Sequence, residues 1–156
     1  MSNSSPAPTG FDITVAPATT NGAYSAADIV GGLLTFPVCK GQPAMAIITG
    51  AQVGIKAAVT STLTLLIFDA IPANGGSVAD NAAIALTAAD MLKLVKAIPV
   101  STIFDCGTPN VYSTDGLTIT ARPADGVNLY GLLIDGTGFT LTSTSDIIVR
   151  LRGTTQ

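Results

Sequence analysis

The chain has no histidine and no tryptophan, and all ten of its acidic residues are aspartate, so glutamate is absent too. Histidine supplies most acid-base chemistry near neutral pH and is the commonest metal ligand, so its absence argues against an enzyme and against a metal or other cofactor. Glutamate favours helix, whereas aspartate competes for its own backbone and settles in turns and caps. An all-aspartate acid set therefore points to loops between strands. Basic residues are scarce as well: Lys40, Lys56, Lys93, Lys96, Arg122, Arg150 and Arg152 are scattered through a chain of net charge −3. They form no stripe that could neutralise phosphates, so nucleic acid is not an expected partner. No apolar run is long enough to cross a bilayer, and the opening residues lack the charged flank and apolar run of a signal peptide. The expectation is a soluble protein made in the cytoplasm, with no membrane partner. The two cysteines, Cys39 and Cys106, match no zinc or redox spacing and are read as small buried free thiols.

What is present is apolar and β-branched. Hydrophobic residues make up 47% and charged residues only 11% of 156 residues, a low charge fraction for a surface that must stay wholly in water. Part of that surface is expected to lie against a partner. Threonines sit inside apolar alternations, where a β-branched side chain packs well on a pleated surface. Leu63, Leu65 and Ile67 alternate with Thr62, Thr64 and Leu66, and the fold class expected is all-β. The length suits a single domain.

Residues 1–10 are polar, carry Pro6 and Pro8 and lack periodicity, so they read as a flexible N-terminal arm preceding one domain over 11–156. Its residues Ser2, Asn3, Ser4, Ser5, Pro6 and Pro8 are candidates for contact with a neighbouring protein, because a polar arm can order on binding and add a strand to an exposed edge. Order is expected from near Phe11, with a first edge strand around Ile13–Val15. A strand over Asp28–Phe36 is interrupted by Gly31-Gly32, which predicts a bulge. Met45–Val53 and Ala57–Phe68 are long strands expected to pair at the centre of one sheet. The stretch 70–81 holds too many breakers for regular structure, and Thr87 followed by Asp90 predicts a capped short helix within Leu86–Leu94. Further strands are expected at Val95–Phe104, Leu117–Arg122, Leu129–Asp135, Thr140–Leu141 and Ile147–Arg152. The Asp-Gly pairs at 115–116, 125–126 and 135–136 predict tight turns, the last of them within a hairpin. Eight to ten strands at this spacing predict an antiparallel two-sheet sandwich, of jelly-roll rather than immunoglobulin type.

Few constellations carry chemistry. Asp69, Asp80 and Asn81 could supply oxygen ligands to a hard cation, but they match no calcium-loop spacing and read as turn-capping groups. Asp135-Gly136-Thr137-Gly138 lacks the lysine and helix of a phosphate loop. Ser113 and Ser143-Thr144-Ser145 have no histidine to activate them. Tyr24, Tyr112 and Tyr130 are the candidates for a sugar-stacking platform, weighed against tyrosines at strand ends with their hydroxyls at the rim.

Three segments together resemble a known group: Tyr24-Ser25-Ala26-Ala27-Asp28-Ile29-Val30-Gly31-Gly32 with Leu34-Thr35-Phe36, then Leu65-Leu66-Ile67-Phe68-Asp69-Ala70-Ile71-Pro72, then Asp80 through Asp90. Leu129–Ile134 and Thr142–Ile147 continue the pattern. The chain resembles the jelly-roll capsid decoration, or cement, proteins of tailed bacteriophages. That resemblance implies a structural virion protein on the outer capsid surface, a homodimer or homotrimer bound to the major capsid protein and without catalytic residues. The alternative is a tail- or fibre-associated module, or one that binds host-surface glycans.

Overall fold

The computed structural model describes residues 8–40, 45–57 and 59–156. Among these residues eleven strands and one α-helix follow in chain order, with a 3-10 turn at Asn74–Gly76: β1 (Thr9–Val15), β2 (Ala23–Tyr24), β3 (Ile29–Pro37), β4 (Ala46–Ile55), β5 (Leu63–Phe68), α1 (Ala88–Lys93), β6 (Leu94–Val100), β7 (Thr102–Asp105), β8 (Asn110–Ala121), β9 (Asn128–Asp135), β10 (Phe139–Thr140) and β11 (Ile147–Thr155). A five-stranded sheet in the order β1-β11-β4-β8-β7 faces a four-stranded sheet in the order β3-β9-β5-β6, and β10-β2 form a short ribbon. All pairing is antiparallel. The pairs β1·β11, β3·β9, β4·β8 and β5·β6 make the chain one long hairpin wound on itself. This winding is the jelly roll.

The core lies between the two sheets because each strand alternates. Val53, Ile55, Tyr112 and Val149 from one sheet meet Phe36, Leu65, Ile67 and Leu133 from the other, all essentially without solvent contact. A second apolar layer sits on the outer side of the four-stranded sheet. There Ile29, Leu66, Phe68 and Leu132 are covered by Val78, Ala82, Ile84 and Leu86 from the excursion between β5 and α1. This explains why β5 is apolar on both faces near its end. The excursion is fastened by backbone bonds from Asn81 N to Ile29 O, Ile29 N to Ala82 O and Ile84 N to Ala27 O. Asp80 fastens it further, accepting from Thr20 N and Oγ1 at 2.6 Å, Tyr24 OH at 2.9 Å and Gly31 N at 2.5 Å.

Local signals in the sequence act where expected. Thr87 caps α1 in a reciprocal box with Asp90, and Asp90, wholly buried, also accepts from Ala73 N and Asn74 N. The one helix therefore anchors the start of the excursion. In β3 the register shifts between Val30 and Leu33. Gly31 takes φ +79°, and a Cβ there would lie 2.5 Å from the Pro17 ring, so only glycine fits this bulge.

Several expectations are corrected. β1 begins at Thr9, so the arm expected over 1–10 gives up Thr9 and Gly10 to the sheet; β1 is an edge strand, as predicted. β4 and β5 belong to opposite sheets rather than pairing. β5 starts only at Leu63, because the preceding backbone is held by side chains: Val59 O accepts from Asn110 Nδ2 and Tyr112 OH, and Ser61 N donates to Tyr112 OH. The expected strand Val95–Phe104 is two strands, β6 and β7, divided at Ser101 where the chain crosses between sheets. Asp115-Gly116 is a bulge inside β8 rather than a turn. Residues 136–138 link β9 to β10, which pairs with β2, so no hairpin forms there. Cys39 is buried as expected, whereas Cys106 is exposed; both are free.

Candidate interaction surface

One surface unlike an ordinary solvated one is the free edge of the five-stranded sheet. β7 pairs with β8 on one side only, and all four of its residues are exposed. Ile103 is 43% and Phe104 69% exposed. Natural edge strands are usually guarded by lysine, proline, a bulge or a covering loop. β7 carries no lysine, proline or bulge; its four-residue length and Asp105 at its end are what limit pairing along it.

The register extends this edge across the sheet. Ile148 pairs with Gly54, Gly54 with Val111, and Val111 with Phe104. Directly paired residues point to one side, and the neighbouring row Val149, Val53 and Tyr112 is buried. The row from Ile148 to Phe104 therefore lies on the outer face. Beside it run Arg150, Gln52, Ser113 and Thr102. Beyond these, Arg152 Nη2 donates to Asp115 Oδ1 at 2.9 Å, while Arg150 Nε donates to Asp12 Oδ1 at 2.6 Å. Hydrogen bonding to Arg150 holds the Asp12 carboxyl below the usual carboxylate range. The face is thus an apolar row, a polar row and two ion pairs of zero summed charge, a composition that can be brought against another protein without stranding a charge. A second exposed apolar group, Ile71, Met91 and Leu92, lies around α1.

The residues singled out in the sequence do not gather here. Ser2, Asn3, Ser4, Ser5 and Pro6 lie outside the described residues; Pro8 is exposed directly ahead of β1. The tyrosine platform is not present as three open rings. Tyr112 is fully buried and Tyr24 only 4% exposed, the latter packed on Phe139 with ring centroids 5.2 Å apart. Tyr130 is half-buried on the other sheet, its hydroxyl donating to Asp125 Oδ2 at 3.1 Å. Asp80 spends both oxygens on the excursion as described. No group of three or more metal-binding acids or cysteines occurs among the described residues. Sequence reasoning missed β7 as a separate edge strand, because Ile103-Phe104 read as the end of one strand over Val95–Phe104.

The titrating groups are structural. Thr87 N, then Ala73 N, hold the Asp90 carboxyl well below its ordinary 3.8. Asn128 N, then Val127 N, do the same for Asp125. Burial, then the hydrogen bond to Asp80, pushes Tyr24 up from 10.0 to about 12. Burial likewise raises the Cys39 thiol from 9.0. A depressed carboxyl stabilises the fold above its unfolded value and loses that contribution as the pH falls through the folded one; a raised phenol or thiol contributes below its unfolded value and loses it as the pH rises. With no histidine in the chain, the melting temperature is expected to be flat from about pH 5 to 8 and to fall on both sides. A thermal-melt series in buffers of constant ionic strength checks this, and a slope of more than about 3 °C inside the plateau contradicts it.

No family model and no curated protein matches the chain. Among solved structures it is similar to the Drosophila NLP core, whose crystal structure is described as giving insight into pentamer formation and histone binding. The likeness is 11% identity over 95% of this chain and 98% of that one, with a TM-score of 0.39. Nothing about partners transfers at that level.

Proposed function

We propose that the chain is a structural virion protein that decorates the outer surface of a tailed-phage capsid and stabilises it by bridging copies of the major capsid protein as a homo-oligomer. The observation that carries the protein-binding half of this reading is β7, a short strand edge without lysine or proline on which Phe104 is 69% exposed, continuous with a face whose two ion pairs cancel in charge. The sequence resemblance supplies the kind of particle. Binding to the assembled shell and not to its dissociated subunits turns binding free energy into capsid stability by mass action.

The test is rebinding. Purified protein is expected to bind capsids stripped of decoration and to raise the temperature at which they release their contents. Deleting residues 1–7, which leaves β1 intact, is expected to weaken that binding by about tenfold or more, as loss of an ordering arm should. Absence of binding to stripped capsids sinks the proposal, and full affinity of the deleted form sinks the role of the arm.

A further inference from the structure

Where the chain crosses from β6 to β7 it leaves a cleft of about 360 Å³ against the start of β5. Leu63, Pro99 and Ile103 form its apolar walls, and Ser61 and Thr137 also line it. Behind these two hydroxyls lies Asp135, wholly buried. Asp135 Oδ1 accepts from Ser61 Oγ and, at 3.1 Å, from Thr137 N. Its Oδ2 is buried with no hydrogen-bond partner among the described residues. The ion pairs found there use Asp12, Asp90 and Asp115, and no lysine or arginine lines the cleft. A carboxylate so placed has lost water without gaining a cation, which is costly.

The hydrogen-bond directions say what the cleft can take. Ser61 gives its proton to Asp135, so across the 2.9 Å between the hydroxyls Thr137 is the donor and Ser61 the acceptor. Both protons then run inward toward the carboxylate, so Ser61 and Thr137 have only lone pairs left to offer a ligand, beside the hydroxyls of Thr60, Thr62, Thr64 and Ser101 that also line the cleft. At these two oxygens a ligand must bring the donor, and the unpartnered carboxyl oxygen of Asp135 behind them favours a cation.

We propose that this cleft is a binding site for an alkylammonium group, with its hydrocarbon stem along Leu63, Pro99 and Ile103 and its ammonium on the oxygens of Thr137 and Ser61, in the field of Asp135. The group could be supplied by a free polyamine or by a lysine side chain of a partner.

Titration of the intact protein followed by amide chemical shifts tests the site. n-Butylammonium is expected to bind in the millimolar range, shifting Ser61, Thr62 and Thr137, at least about tenfold more tightly than n-butanol of the same shape. Asp135→Asn, which keeps the shape and removes the charge, is expected to erase that preference. Because Asp135 is buried, Ser61→Ala serves as a second variant and is expected to weaken the amine about fivefold or more in a chain whose melting shows it folded. Equal binding of amine and alcohol, or no shift at these residues, overturns the assignment, as does an unchanged preference in both variants. Comparing 1,4-diaminobutane with Nα-acetyl-lysine methylamide then assigns the source: tighter binding of the first identifies a free polyamine, of the second a lysine side chain.

Discussion

Replacing Gly153 with valine is expected to lower the melting temperature by up to about 12 °C, or to prevent folding. Gly153 lies in β11 where the register shifts against β4, and β4 shifts again against β8 between Ile48 and Gly50. These irregularities line up across the five-stranded sheet and bend it. A Cβ at Gly153 would run into the carbonyl oxygen of Ile47 and lie 2.5 Å from the ring of Phe11. The carbonyl belongs to a paired strand and cannot withdraw without breaking the ladder, and Phe11 is held opposite by the pairing of β1. Overpacking of this kind costs about 1–3 kcal/mol and sometimes more. Calorimetry or a denaturant series on Gly153→Ala and Gly153→Val checks the grading; a valine variant as stable as the parent contradicts the packing described.

The second large effect is on assembly. For self-association through β7 as proposed, Phe104→Lys is expected to raise the dissociation constant by about 30-fold or more, the consequence of removing an exposed aromatic anchor and placing a charge on the edge. The same substitution should leave the melting temperature of the single subunit within about 2 °C, because Phe104 is mostly exposed and surface changes of this kind are nearly neutral. Sedimentation over a concentration series reads the first quantity, and melting at low concentration reads the second. An oligomer that persists unchanged places the interface elsewhere, with the exposed Met91 and Leu92 of α1 next to be tested.

What the sequence discloses and what it hides divides by range. The Thr87–Asp90 cap, the Gly31-Gly32 bulge and the alternation of β5 and β11 are decided by neighbours within a few residues, and each is legible. Sheet membership is not. β4 and β5 carry equally apolar patterns, and only distant partners place them in opposite layers. Asp115-Gly116 carries a hairpin signal, yet it stays within β8 because β4 pairs on both sides of it. Tyr24 and Tyr112 look like available aromatics until the winding buries them. The apolar pattern of Ile103-Phe104 holds no mark of being uncovered, and the cleft at Ser61 depends on Asp135, which the pairing of β5 with β9 brings alongside.

The winding also sets an order of events during synthesis. Among the described residues β1 pairs only with β11, and the bond from Thr155 Oγ1 to Thr9 O spans 146 residues. At about 5–20 residues per second a ribosome needs roughly 7–30 s to make that span. For this whole interval β1 waits without its partner and the inner faces of the sheets cannot close. Long-range pairing of this kind folds slowly, on the order of milliseconds to seconds even once the chain is complete. The sandwich can therefore close only after β11 has been made, which separates the completion of its core in time from the making of its first strand.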